Sequence, residues 1–155
     1  MGSENSRVVS QVPVEDPVAT GKRFDYADAF VVDLPAPAAS PPATWLGTGL
    51  SRLPPMVNWV AARLGFSSTT PADPLDGWDV RSSDPEVVHL VVQLPLLYVD
   101  LIGRNSGPTR RMLTTLVRFQ RPWLARLVWI ALGPAHRRTV RWLLATSLHS
   151  ERVLA

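Results

Sequence analysis

The chain contains no cysteine, which excludes a disulfide framework, a thiol nucleophile and a thiolate metal site. Lysine is almost absent as well: fifteen of the sixteen basic residues are arginine, and Lys22 is the exception. No apolar core near the N-terminus could serve as a secretory signal. The longest apolar run, residues 87–102, is interrupted by His89, Gln93, Pro95 and Asp100, whereas a membrane helix needs about 20 predominantly apolar residues. A cytoplasmic protein without membrane insertion is therefore expected. Gly47-Thr48-Gly49 is too short for a phosphate-cradling loop, and no serine sits in a nucleophile elbow. His89, His136 and His149 do not lie at ligand spacing on a common element. No metal site and no cofactor is expected.

What remains is 155 residues, 46% of them hydrophobic, with fifteen prolines and six tryptophans. That suits one domain of ordinary size. The expected boundaries are a flexible leader over 1–22, a single domain over 23–150 and a short tail over 151–155. Charge is unevenly shared: residues 1–100 carry a balance of −6, and residues 101–155 carry ten arginines against Glu151, a balance of +9. The arginines are spread over a strand and a helix without interleaved stacking aromatics, so a nucleic-acid partner is not expected. The two halves can neutralise each other on folding.

Hydrophobic periodicity predicts the order of elements. Residues 24–34 alternate, with Phe24, Tyr26, Phe30 and Val32 on one side, as in a strand. After a proline-punctuated loop, Trp45, Leu46, Leu50 and Leu53 fall at helical spacing. Pro54 and Pro55 stop that helix and start a second over 56–64, which Gly65 ends. A loop is predicted over 67–75. Strands are predicted over 78–82, 86–94, 96–104 and 110–120, with Pro95 at an edge or bulge and tight turns between them. The segment 123–148 reads as a long helix that Gly133-Pro134 should kink or break.

This order, with the strand Leu113-Thr114-Thr115-Leu116-Val117-Arg118-Phe119, the run Gly133-Pro134-Ala135-His136-Arg137-Arg138-Thr139-Val140 and the pair Leu143-Leu144, resembles the bacterial family called domain of unknown function 2867. That family belongs to the helix-grip superfamily of START-like and birch-pollen-allergen-like proteins. The chain departs from the family pattern after Phe119, where Gln120-Arg121-Pro122-Trp123 replaces a glycine-bearing turn. The resemblance implies an α+β helix-grip fold: a curved antiparallel sheet around a long C-terminal helix, two short helices after the first strand, and a cavity between sheet and helix. Its wider relatives include lipid carriers, hormone receptors and polyketide cyclases, and fold alone does not choose among them.

Candidate residues follow from polar groups set among apolar ones. His136 shares a helical stripe with Val140 and Leu143 and would face the cavity, where an imidazole can act as acid or base; the alternative is a histidine that caps carbonyls freed by Pro134. Asp100 and Tyr98 share a strand face and complete the candidate catalytic set. His89, Gln93 and Arg118 punctuate neighbouring strands as candidate ligand contacts, or are solvent-facing positions of a half-exposed sheet. Trp45 and Trp59, on the short helices, are expected to line the cavity with flat apolar surface, together with Val140 and Leu143. The expected function is a cofactor-free cyclase or isomerase of a hydrophobic, polyketide-like substrate. The alternatives are a non-catalytic carrier or sensor of a lipid-like ligand and an interaction protein with a filled core. A monomer or homodimer is expected.

Overall fold

The computed structural model describes residues 9–67 and 73–154, with side chains to Leu148. Strand β1 (Val9–Val12) is followed by a single 3-10 turn (Pro17–Ala19), β2 (Tyr26–Asp33), helices α1 (Pro42–Ser51) and α2 (Pro55–Arg63), strands β3 (Asp79–Ser83), β4 (Val87–Gln93), β5 (Leu97–Asn105) and β6 (Arg110–Phe119), and helix α3 (Pro122–Leu154). The strands form one antiparallel sheet in the order β1-β2-β6-β5-β4-β3. The result is the α+β, helix-grip-like arrangement, with a curved sheet, a long C-terminal helix and the two short helices after β2.

Prolines set the helix starts. Pro42, Pro55 and Pro122 each open a helix, where a missing N–H leaves no bond unmade. The departure Gln120-Arg121-Pro122 is thus a proline-started helix, and the Gln120 N–H is held by the Leu96 carbonyl. Gly65 ends α2 with φ +102°, a conformation that side chains disfavour. Pro95 occupies the β4–β5 hairpin turn, where Leu94 N–H donates to the Leu97 carbonyl; the bulge lies in β3, between Val80 and Ser82.

Two expectations are corrected. Of the kink or break expected at Gly133-Pro134, the break does not occur: α3 is one helix through Pro134. The carbonyl that Pro134 frees belongs to Ile130, on the solvent side, where water can satisfy it. Ala125 before the proline and Val140, Leu143 and Leu144 after it are all buried, so packing on both sides holds the helix together. The second correction concerns the leader. Residues 1–8 lie outside the described residues, but 9–22 are not a free tail. Val9 to Val12 pair with β2, and the segment that follows straps the outer face of the sheet.

Register explains why a strap is needed. Tyr26, Asp28, Phe30 and Val32 share the inner face with Arg111 to Val117 in odd positions, Leu101 and Leu90. Helices α1 and α3 pack there. Yet Ala29, Val91, Ile102 and Leu116, on the other face, are also buried. Asp16 reaches the outer face and accepts two bonds from the Arg104 guanidinium, at 2.8 and 3.1 Å. Lys22 Nζ lies 3.0 Å from Asp100 Oδ1, and Asp25 accepts the Phe119 N–H. Short, proline-rich and fastened by ions, the strap has no hydrophobic period to read.

Burial pushes the Asp16 carboxyl up, but the Arg104 fork and the Val18 N–H outweigh it and hold the group below its ordinary value of 3.8. The native state therefore binds fewer protons than the unfolded chain in acid. Its stabilisation is complete above the ordinary value and is lost as pH falls through the depressed one. Asp16→Asn is expected to cost about 2 kcal/mol at neutral pH by urea unfolding and to flatten the acid limb of the stability curve.

Candidate functional site

Two features of the inner face bear on function: a groove and a buried polar cluster. The groove follows from how the helices divide the sheet. Helix α3 packs on β1, β2 and β6, while α1 packs on β4, β5 and α3. Gly49 makes the α1–α3 contact, since a Cβ there would lie 2.7 Å from Leu143 Cδ2. Gly103 lets α1 approach the sheet, its missing Cβ facing Leu46 and Trp45 at 3.3 Å. Gly47-Thr48-Gly49 thus serves helix packing. Beyond α1, the far end of β4 and β5 is left to α2 and the segment leading to β3.

There a groove of about 510 Å³ opens, floored by Val92, Leu94 and Val99 and walled by Leu53, Ala61, Phe66 and Trp78. Its volume is that of a small-molecule site. Asn58, Asp73 and Asp76 add polar groups to its lining, and Phe66 and Trp78 pack with ring centroids 5.6 Å apart. The loop predicted over 67–75 borders it, and residues 68–72 lie outside the described residues.

The polar cluster sits under α3. Tyr26 and Asp28, two apart on β2, point to the inner face, and Trp129 and His136, seven apart on α3, meet them. The Tyr26 hydroxyl donates to Asp28 Oδ2 at 2.5 Å. His136 Nε2 lies 3.2 Å from the same oxygen, within ion-pair distance but out of line for a hydrogen bond. The Trp129 ring stacks at a tilt on both Tyr26 and His136, with centroids 4.8 and 5.2 Å away. Asp28 is 2% exposed, and its Oδ1, Thr115 Oγ1 across the strand pair and Trp129 Nε1 are buried without a hydrogen-bond partner among the described residues. Such orphan atoms are costly unless a water or a ligand group completes them.

Cluster and groove share one cross-strand row. Tyr26 is opposite Val117, Val117 opposite Val99, and Val99 opposite Val92. Two strand spacings, about 10 Å, separate the tyrosine from the groove floor.

The expected catalytic residues do not converge. His136 is at the cluster on the inner face, whereas Tyr98 and Asp100 lie on the outer face, with the sheet between. Asp100 Oδ1 is 2.6 Å from His89 Nε2 and 3.0 Å from Lys22 Nζ, so this triad fastens the strap. Tyr98 lies beneath the Arg118 guanidinium at 4.4 Å, and Gln93 is exposed opposite Tyr98. None of His89, Gln93 and Arg118 lines the groove.

The remaining expected contacts also lie elsewhere. Trp45 is core: its indole N–H donates to Asn105 Oδ1 at 3.0 Å, and the Arg111 guanidinium lies over its ring. Val140 and Leu143 are buried in the same core. Trp59 points outward from α2, 57% exposed and stacked by Arg63. Asp28 and Tyr26 lie outside the expected site; the one sequence signal for Asp28 is its even position between Tyr26 and Phe30, which sets a carboxylate on the apolar face.

Among the described residues no group of three or more histidines and carboxylates could hold a metal ion. Among them, too, no helix is long and apolar enough to cross a membrane. No family model, curated protein or solved structure matches the chain.

Burial, with the Asp28 carboxylate as hydrogen-bond partner, pushes the Tyr26 phenol up to about 12, against a smaller opposing effect of Arg137. The native protein then keeps a proton that the unfolded chain releases near its ordinary value of 10.0. Stability should fall as pH rises between these two values. Ultraviolet titration is expected to show a tyrosinate step at about 12, removed by Tyr26→Phe.

Proposed function

We propose that the protein binds a small hydrophobic molecule in the groove between α2 and the β4–β5 end of the sheet. The observation that carries this reading is the groove itself: about 510 Å³ with an apolar floor, aromatic walls and a few polar groups. Phe66 and Trp78 suit a flat or polyene-like ligand of the polyketide kind, and the role is that of a carrier or sensor.

A second reading, a cofactor-independent cyclase or isomerase, is favoured by the Tyr26–Asp28–His136 cluster. A carboxylate, an imidazole and a phenol sharing one oxygen form a set able to take a proton from a carbon acid and return it elsewhere. Its use requires a substrate long enough to extend from the groove past Val117, along the row that joins the two.

Native mass spectrometry of the freshly purified protein, followed by denaturation and analysis of what is released, tests the binding reading. A bound hydrophobic compound, or uptake of the neutral probe N-phenyl-1-naphthylamine, is expected. Ala62→Trp, which fills the groove from an exposed position, should weaken uptake roughly tenfold or more by removing apolar contact area. A clean mass with no uptake would contradict the reading. If the compound is turned over, His136→Ala and Asp28→Asn should retain it but abolish its conversion; a carrier would show no conversion to lose.

A further inference from the structure

We infer that the outward face of α3 docks the protein on the surface of an anionic lipid bilayer. Trp123, Leu127 and Ile130 are 72%, 59% and 69% exposed, although a helix packed on a sheet normally turns polar residues outward. With Pro134 they follow one another at helical spacing, so they form a single stripe about 16 Å long. The same line continues through Arg138, and Arg126 lies beside Ile130; the Arg141 guanidinium turns instead over the Phe30 ring, 5.3 Å from its centroid.

Charge selects the occupant. The residues between Asp100 and Glu151 contain no carboxylate. Arg126 and Arg138 are exposed, and neither has a carboxylate within ion-pair distance among the described residues. An apolar stripe with tryptophan at one end and arginines alongside is the composition of a helix that lies in the headgroup region. A second copy of the chain is a poorer partner, because it would bring unpaired arginines against arginines. Nucleic acid would use the arginines but leave Leu127 and Ile130 without a role. Nothing in this docking crosses the bilayer: the helix lies on it, with its other face held by the sheet.

Sedimentation with vesicles tests the inference on the intact protein. Binding to mixed phosphatidylcholine–phosphatidylglycerol vesicles is expected, weakening as salt is raised, with little binding to phosphatidylcholine alone. Leu127→Asp and Ile130→Asp should each reduce it roughly tenfold or more, while Ile130→Leu retains it. Arg126→Gln and Arg138→Gln should each reduce it about fivefold. These positions are exposed, and unchanged thermal melts would show that the variants fold. No vesicle binding, or equal binding to both compositions, would overturn the inference. So would self-association in the ultracentrifuge that Leu127→Asp abolishes, which would make the stripe an interface between copies, or oligonucleotide binding indifferent to Leu127. None of these results depends on the groove being filled.

Discussion

One helix cannot cover this sheet. Six strands span about 24 Å across the hydrogen-bonding direction, while a helix with its side chains is about 10–12 Å wide. Helix α3 therefore packs mainly on the β1–β2–β6 half, and most of the apolar inner face of β4 and β5 is closed by other elements. Helix α1 closes one end of it, brought close by Gly103 and locked to α3 through Gly49. The other end, at Val92 and Val99, is roofed by the end of α1 with Leu53, by α2 and by the segment before β3, and there the groove forms. The groove is thus a consequence of the mismatch in width.

The same sheet has a second apolar face, which the N-terminal segment covers with few hydrophobic residues and several ions. Asp16 with Arg104, and Lys22 with Asp100 and His89, bind the strap to β4 and β5. Each charge is close to a partner, the condition under which buried ions are tolerated. The strap takes up Asp100 and, through it, His89, outer-face titratable groups that otherwise suggest catalysis. The inner cluster differs, because Asp28 holds one oxygen against two neighbours and leaves the other without a donor among the described residues.

The order of elements was legible because it rests on periodicity: every helix and the strands from β2 to β6 lie within a few residues of where the apolar spacing and the prolines place them. Three things were not legible. The strap makes its bonds to Arg104 and Asp100, some 80 residues away in sequence, and sequence spacing does not report such pairs. Continuity of α3 through Pro134 depends on both halves packing against one sheet, a tertiary effect. The faces of β4 and β5 are not told apart by spacing because both are apolar: Val88 and Leu90 on one side are as hydrophobic as Val91 and Ile102 on the other, so the pattern alone groups Asp100 and Tyr98 with His136. Of the candidate site, His136 was found from its helical stripe. Asp28 and Tyr26 required pairing with it across the fold, and the groove required knowing which half of the sheet α3 leaves bare.

The central claim is that the groove, and not the outer surface, receives a hydrophobic molecule. Methyl-resolved nuclear magnetic resonance during titration with N-phenyl-1-naphthylamine tests it most directly. The account predicts saturable shifts at the methyls of Leu53, Val92, Leu94 and Val99, with Val91 and Ile102 on the opposite face unmoved. Shifts confined to Leu127 and Ile130, or none at a saturating concentration of probe, would contradict it.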